Sequence, residues 1–237
     1  MSPLDWTWAL LGLGLQSMVI STMLRGPWRR YPLVFSHVIF CILSTVAQIS
    51  FQRYFGRASR EFVQAYWIID FVGTFLVLMI IIHFIRLAMD GHRYRNPVYG
   101  GLLLGVVATA VGSILLMEAF SRRFSLGRWM TEVGRDYYFS AVLLNVILWC
   151  TLVRRNSENK QLYLLTSGLG LKLCGAAIAH ALRLAGGPVA VASHFLVVTY
   201  LLSLYVWYVA LKRIPDRAPV GELTASRLYQ PARPPES

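Results

Sequence analysis

The chain has 237 residues, of which 56% are hydrophobic and only 14% are charged, with a formal net charge of +12. An average soluble chain carries about 25% charged residues, so this one is too apolar for a water-soluble globule. The moderate glycine and proline counts (18 and 10) and the three cysteines exclude a collagen-like fibre, a disordered chain and a disulfide-stapled module. What remains is an integral membrane protein.

Seven apolar stretches follow one another along the chain, each close to the ~20 residues that a hydrocarbon layer of ~30 Å requires. They are continuous runs such as VLMIIIHFI, unlike the alternating segments of a membrane barrel, so each is predicted to be a helix. The predicted spans are residues 4–24, 32–52, 62–86, 97–120, 136–153, 161–185 and 190–211. The predicted fold class is therefore all-α, a polytopic membrane bundle of seven transmembrane helices.

The distribution of basic residues predicts the orientation and the domain organisation. The loops on the N-terminal side carry eight Lys and Arg, and the opposite side carries fourteen. The positive-inside rule therefore places the N-terminus outside and the C-terminus in the cytoplasm. Residues 1–211 form the transmembrane domain, and the Pro-rich, polar segment 212–237 is predicted to be a disordered cytoplasmic tail. The positive charge is spread over every loop, which favours contact with anionic lipids and argues against nucleic acid binding.

Ionisable residues near the membrane midplane are the first place to look for function, because each costs about 2.5–3.5 kcal/mol on insertion scales. Lys172 in span six and Asp70 in span three lie at matching depths, about 16 and 18 Å from the inner surface. Asn145 in span five falls at a similar level, and Tyr66 and Thr74 share a helix face with Asp70. These five residues are predicted to form a cluster, as an ion pair that fixes packing or as a ligand or ion site.

A second set of polar residues lies near the outer ends of the spans. It consists of Glu118, Asp136, His180, Arg183 and His194. A seven-helix zinc hydrolase of the ceramidase and adiponectin-receptor type would need further histidines on the last span, so no metal site is predicted here. The sequence also contains no H-E-x-x-H, Walker or G-x-S-x-G motif, and no catalytic residue is assigned.

The positions of the histidines and of the lysine bear on two possible cofactors, haem and retinal. His37 and His83 lie near the cytoplasmic ends of their spans and His180 and His194 near the outer ends, the layout that two bis-histidine b-type haems need. Histidines at helix ends also lie in the headgroup zone without any cofactor. Retinal would need its Schiff-base lysine on the seventh helix, whereas Lys172 is on the sixth.

Small residues line one face of span four, where Gly101 and Gly105 form a GxxxG motif and Gly112 follows two turns later. Such a face lets another helix approach closely. It indicates internal packing, or else contact with a membrane-protein partner or a second copy of the chain.

Three stretches carry a resemblance to a known group of proteins. QAYWIID opens span three, RDYYFSAVLL opens span five and GLGLKLCG lies in span six. On these stretches the chain resembles an uncharacterised family of bacterial seven-span integral membrane proteins. The resemblance implies a multi-pass protein of the bacterial cytoplasmic membrane. It marks Tyr66, Trp67, Asp70, Asp136 and Tyr138 as positions to test.

Four classes of function remain open from the sequence. A ligand-sensing or accessory module of a membrane complex is favoured by the seven-helix layout and the absence of catalytic motifs. The alternatives are a small ion-coupled transporter that uses Asp70 and Lys172, a haem- or quinone-linked redox subunit, and an intramembrane enzyme.

Overall fold

The computed structural model describes residues 3–56, 59–89, 93, 95–120, 126–154 and 159–213. Within these residues the protein is almost entirely helical and contains no β-strand, which confirms the all-α fold class. Seven helices follow in chain order: α1 (Pro3–Leu24), α2 (Pro32–Phe55), α3 (Arg60–Ala88), α4 (Arg95–Phe120), α5 (Leu126–Arg154), α6 (Lys160–Leu184) and α7 (Val189–Arg213). A short 3-10 turn, Pro27–Arg29, joins α1 to α2.

Six of these helices are long and apolar enough to cross a membrane, namely α1, α2, α3, α5, α6 and α7. In the described part of α4, the apolar stretch is the shorter Asn96–Ala108. Among the described residues, a helix is therefore found at each predicted span, and six of these helices have the length and composition of a membrane-spanning helix. The tail predicted for 212–237 overlaps α7 by two residues, and its remainder, 214–237, lies outside the described residues.

Local chemistry explains where several helices begin and end. The side chain of Ser59 accepts a hydrogen bond from the backbone N–H of Phe62 (3.1 Å), and Asn159 does the same for Leu162 (3.1 Å), so each caps the helix that follows. Gly56 ends α2 at a φ of 80°, a conformation that residues with a Cβ rarely adopt. Helix α5 begins at Leu126 rather than at 136, because helical structure continues past the apolar segment from which its start was predicted.

The helices form a closed ring with one helix outside it. Each helix of the ring contacts the next in the order α1, α2, α3, α5, α6 and α7, and α7 contacts α1. Helices α3 and α6 also touch across the ring. Helix α4 packs on α3 outside this ring. The candidate span with the largest buried share is α6. The interior of the bundle is therefore organised around α6.

The close helix packing depends on glycines of α6. A Cβ at Gly168 would lie 2.7 Å from Cδ1 of Trp207, one at Gly170 would lie 2.7 Å from Nδ2 of Asn145, and one at Gly175 would overlap Thr199. These glycines let α7 and α5 approach α6 closely. By contrast, a Cβ at Gly101, Gly105 or Gly112 of α4 would meet nothing within 4 Å. Within the described residues, no close contact at these glycines supports their predicted role in internal packing.

Candidate functional site

Lys172 lies at the middle of α6, twelve residues from either end, and its ammonium contacts α2 and α7. Its Nζ is 2.6 Å from Nε2 of His37 and lies over the ring of Tyr200, 5.2 Å from the ring centroid. Among the described residues, the hydrogen-bond acceptor for this ammonium is Nε2 of His37. The charge is thus held by a neutral ring nitrogen and an aromatic face.

His37 is 1% exposed and is held from three directions. Its ring meets Trp207 edge to face (centroids 6.1 Å apart), and its Nε2 is 3.5 Å from Sγ of Cys41. If protonated Lys172 donates to Nε2, the neutral ring carries its own proton on Nδ1. That Nδ1 has no hydrogen-bond partner. A buried donor is therefore left unpaired at this point.

The next polar contact towards the N-terminal side joins α1 to α7. Nε2 of Gln16 donates to the hydroxyl of Tyr200 at 2.7 Å, and Gln16 itself is 2% exposed. The Oε1 of Gln16 has no partner. We call Lys172, His37, Cys41, Gln16 and Tyr200 the lysine centre.

A cleft of about 330 Å³ lies between α1, α2 and α7, with the start of α3 at its rim. Its apolar lining consists of Ala9, Gly12, Ile49, Phe62, Val197 and Leu201. Its lining with polar atoms consists of Trp8, Gln16, Thr45, Gln48, Gln52 and Tyr200. Two of these residues belong to the lysine centre, so the cleft leads from the N-terminal side of the bundle to the neighbourhood of Lys172.

A polar stripe on α2 connects the cleft to the lysine centre. It consists of His37, Cys41, Thr45, Gln48 and Gln52, spaced three or four residues apart and therefore on one face of the helix. The last three line the cleft, and the first two belong to the lysine centre. This stripe was not among the predicted sites, although its helical spacing within an apolar span is visible in the sequence.

Below the lysine centre, towards the C-terminal end of α7, the interior is closely packed and closed, although it also contains the buried polar side chains of Gln161, Thr166 and Ser203. Val34 of α2, Phe84 of α3 and Leu165 of α6 are 0% exposed, and Trp207 is 1% exposed. Trp207 donates its indole N–H to the carbonyl of Leu165 at 2.9 Å, which fixes the indole beside His37. Among the described residues, the cleft thus reaches the lysine centre from the N-terminal side.

Asp70 belongs to a different group of side chains, between α3, α5 and α6. The hydroxyl of Tyr138 donates to Oδ1 of Asp70 at 3.3 Å, and the Tyr138 ring stacks on His180 with centroids 5.1 Å apart. Arg183 donates to the hydroxyl of Ser193 at 3.2 Å. Its guanidinium also interacts with the hydroxyl of Tyr66.

We call Asp70, Tyr66, Tyr138, His180 and Arg183 the aspartate cluster. It joins two residues of the predicted midplane set, Asp70 and Tyr66, to two of the predicted outer set, His180 and Arg183. Its Tyr138 was singled out in the sequence only through the resemblance. Residues of the two predicted sets come together because Asp70 and His180 both lie in the half of the bundle nearer to the start of α1.

The predicted cluster of Asp70, Lys172 and Asn145 is not a set of direct contacts. No ion pair within 4.0 Å joins Asp70 to Lys172, because the lysine reaches His37 and the carboxylate reaches Tyr138. Their charges still interact at longer range. Asn145 is buried against Gly170, and the hydroxyl of Thr74 donates to the carbonyl of Asp70 at 2.9 Å.

No family model, curated protein or solved structure matches this chain. What the protein binds therefore has to follow from its geometry, and the resemblance to bacterial seven-span proteins stays a prediction.

The remaining predicted site residues are spread over the bundle. His83 approaches the carbonyl of Arg30 (3.4 Å), and His194 is exposed and approaches the carbonyl of Ala190 (2.6 Å). A haem iron bound to His37 or His83 would have to displace the contact of His37 with Lys172 or that of His83 with the carbonyl of Arg30. The side chains of Glu118 and Asp136 lie outside the described residues. Within the described ranges, no three His, Cys, Asp or Glu side chains are placed to hold a metal ion.

The contact between Tyr138 and Asp70 leads to a prediction of modest size. Tyr138→Phe removes a hydroxyl that donates to a carboxylate, so we expect the free energy of unfolding to fall by about 1–2 kcal/mol. Tyr205→Phe on the exposed face of α7 is the matched control and is expected to change it by less than about 0.5 kcal/mol. Both are measured by denaturant titration in detergent micelles, and equal values for the two variants would contradict this hydrogen bond.

Proposed function

We propose that this chain is a seven-span membrane protein that binds a small molecule in the cleft between α1, α2 and α7 and acts as a ligand-sensing module. The seventh span is α4, whose 26 helical residues extend about 39 Å, enough to cross a bilayer. The excess of basic residues on the opposite side supports an N-terminus outside, so the cleft opens to the outside. The same excess supports contact with anionic lipids of the bacterial cytoplasmic membrane.

The observation that carries this proposal is unpaired polar atoms beside the cleft. Oε1 of Gln16 and Nε1 of Trp8 are buried and have no hydrogen-bond partner, although both residues line the cleft. Buried polar atoms are nearly always paired with protein, water or ligand. Its volume of about 330 Å³ is within the ~300–1,000 Å³ range of small-molecule sites, which also combine apolar walls with a few polar groups.

A sensing function follows from the one-sided geometry. The cleft reaches the lysine centre from the N-terminal side, while Val34, Phe84, Leu165 and Trp207 close the opposite side. A ligand would contact α1, α2 and α7 together, so binding would favour one arrangement of these helices over others. Such a change at the cytoplasmic ends of α1 and α7 is what a partner in a membrane complex would detect.

The glycines of α1 offer a matched pair of variants. Gly12 lines the cleft, and a Cβ there would make an ordinary contact with Leu201 (3.9 Å), so Gly12→Leu fills the cleft without backbone strain. Gly14 faces outward with nothing within 4 Å, so Gly14→Leu adds the same side chain elsewhere. We expect mass spectrometry of the protein released from native-lipid nanodiscs to find a co-purifying small molecule in the wild type and in Gly14→Leu. Gly12→Leu is expected to lose it.

An unchanged set of bound molecules in Gly12→Leu would contradict the proposal, provided that both variants elute as the wild type does in size exclusion.

A small ion-coupled transporter is the second candidate, favoured by one observation. Lys172 and His37 are two proton-binding groups in contact at the middle of the bundle, at the inner end of a cleft that opens to one side. A carrier open to one side would have this arrangement. Proteoliposomes separate the two functions, because transport requires solute or proton flux that Lys172→Met abolishes, whereas a sensor shows none.

A further inference from the structure

We infer that the molecule bound in the cleft is an amphipathic acid, and that Lys172 holds its anionic group. This inference rests on the proposed function and names the chemical class of its ligand. The acid would enter from the water on the N-terminal side and place its apolar part against the apolar walls of the cleft.

The first argument concerns the charge at the inner end of the cleft. Lys172 has no carboxylate within 4.0 Å among the described residues, and its immediate partners are the His37 ring nitrogen and the Tyr200 ring. The charge of Asp70 interacts with Lys172 only at longer range, and the Asp70 carboxylate accepts a hydrogen bond from Tyr138. A cation removed from water is stabilised most by an anion that contacts it. Among the described residues, no carboxylate supplies that anion in direct contact.

Among the described residues, the wall of the cleft contains no acidic side chain. Its polar atoms come from glutamine, threonine, tyrosine and tryptophan, which can donate hydrogen bonds to an acid without repelling it. A low-dielectric cleft with a single sign of charge at its end concentrates ions of the opposite sign. A cationic ligand would meet Lys172 with no carboxylate among the described wall residues to compensate.

The third argument concerns the distance that the anion would have to cover. Tyr200 and Gln16 line the cleft, and their side chains are hydrogen-bonded to each other. The ammonium of Lys172 lies over the Tyr200 ring. The Tyr200 side chain therefore lies between the cleft and the ammonium. Nδ1 of His37 is a further polar atom of the lysine centre without a hydrogen-bond partner.

The test uses a thiol placed in the cleft wall and two charged thiol reagents. Thr45 lines the cleft, so Thr45→Cys is made in a full-length chain that carries Cys41→Ser, Cys150→Ala and Cys174→Ala. An anionic methanethiosulfonate with a sulfonatoethyl group and a cationic one with a trimethylammonioethyl group are applied to the protein in nanodiscs. Each reaction forms a mixed disulfide with the cysteine and releases methanesulfinate, and both reagents are too polar to cross the bilayer.

We expect the ratio of the anionic to the cationic rate at Thr45→Cys to exceed the same ratio for 2-mercaptoethanol by roughly tenfold, as focusing by a charged cleft produces. Lys172→Met in the same chain should return the ratio to that of the free thiol, and Lys172→Arg should preserve it. Adding Gly12→Leu should slow both reagents equally.

The outcomes separate the two proposals. A ratio equal to that of the free thiol, unaffected by Lys172→Met, would overturn the anionic ligand while leaving the cleft in place if Gly12→Leu still slows both reagents. If neither reagent reacts with Thr45→Cys, the cleft is closed to water and both proposals fail. Lys172→Gln replaces Lys172→Met if the methionine variant does not elute as a folded protein.

Discussion

Replacing His37 with leucine is expected to destabilise the protein by about 3 kcal/mol or more, because it leaves the buried ammonium of Lys172 without its hydrogen-bond acceptor. Lys172→Met in the same chain should recover much of this loss, since two apolar side chains then replace the pair. The double-mutant cycle should therefore show a coupling energy of at least about 1.5 kcal/mol. The measurement is the free energy of unfolding by denaturant titration in detergent micelles, followed by circular dichroism.

A second cycle, Asp70→Asn with Lys172→Met, is the matched control. The carboxylate is hydrogen-bonded to Tyr138 and interacts with the lysine only at longer range, so the coupling energy of this pair should be well below that of His37 and Lys172. If the coupling instead appears between Asp70 and Lys172 and is absent between His37 and Lys172, the midplane ion pair suggested by the sequence is right. The lysine centre described above is then wrong.

Gly175→Val is expected to destabilise the protein by about 3 kcal/mol or more and to prevent folding in the less stable detergents. A Cβ at this position would overlap the side chain of Thr199, which is itself buried and hydrogen-bonded to the backbone of α7. Neither helix can give way without separating α6 from α7. Overpacking of this kind commonly costs about 1–3 kcal/mol, and more where the obstacle cannot move.

Gly112→Val in α4 makes the same chemical change where nothing lies within 4 Å. Its helix-propensity effect is similar, so the difference between the two variants reports packing. We expect Gly112→Val to change the free energy of unfolding by less than about 0.5 kcal/mol. Equal losses for the two would contradict the helix arrangement.

Light scattering of Gly112→Val separately tests the predicted homodimer through Gly101, Gly105 and Gly112. If that contact exists, the variant should become monomeric.

The sequence predicts the helices well because a membrane constrains length and composition directly. Long apolar runs must be helical in lipid, and every predicted helix except α5 is found within three residues of its predicted boundaries. Helix α5 shows the limit of this reasoning. Its first ten residues, LGRWMTEVGR, mix apolar with charged and polar residues, so the apolar run alone predicted too late a start.

The sequence predicts the polar sites less well, because depth in the membrane is one coordinate out of three. Lys172 and Asp70 lie at matching depths, yet the ring order of the helices places α2 and α7 against the lysine and α5 against the aspartate. A lysine side chain is also long enough to reach one turn along a neighbouring helix, so its contact with His37 could not be read from depth.

The glycine patterns show the same difference between a motif and its use. The GxxxG of α4 is the clearer match in the sequence, whereas the tight contacts occur at Gly168, Gly170 and Gly175 of α6. Only the identity of the facing residue decides whether a glycine is needed. The bulky partners Trp207 and Thr199 on α7 were not predictable as neighbours before the ring was known.

The most direct test of the account is the density of the cleft in an electron-microscopy map of the full-length protein. The protein would be purified in native-lipid nanodiscs and enlarged by a bound antibody fragment. We predict non-protein density between α1, α2 and α7 that contacts Gln16 and Tyr200 and extends towards Nζ of Lys172, with His37 beside the lysine. Side chains of the three helices that fill this space, with Lys172 bonded to Asp70, would contradict it.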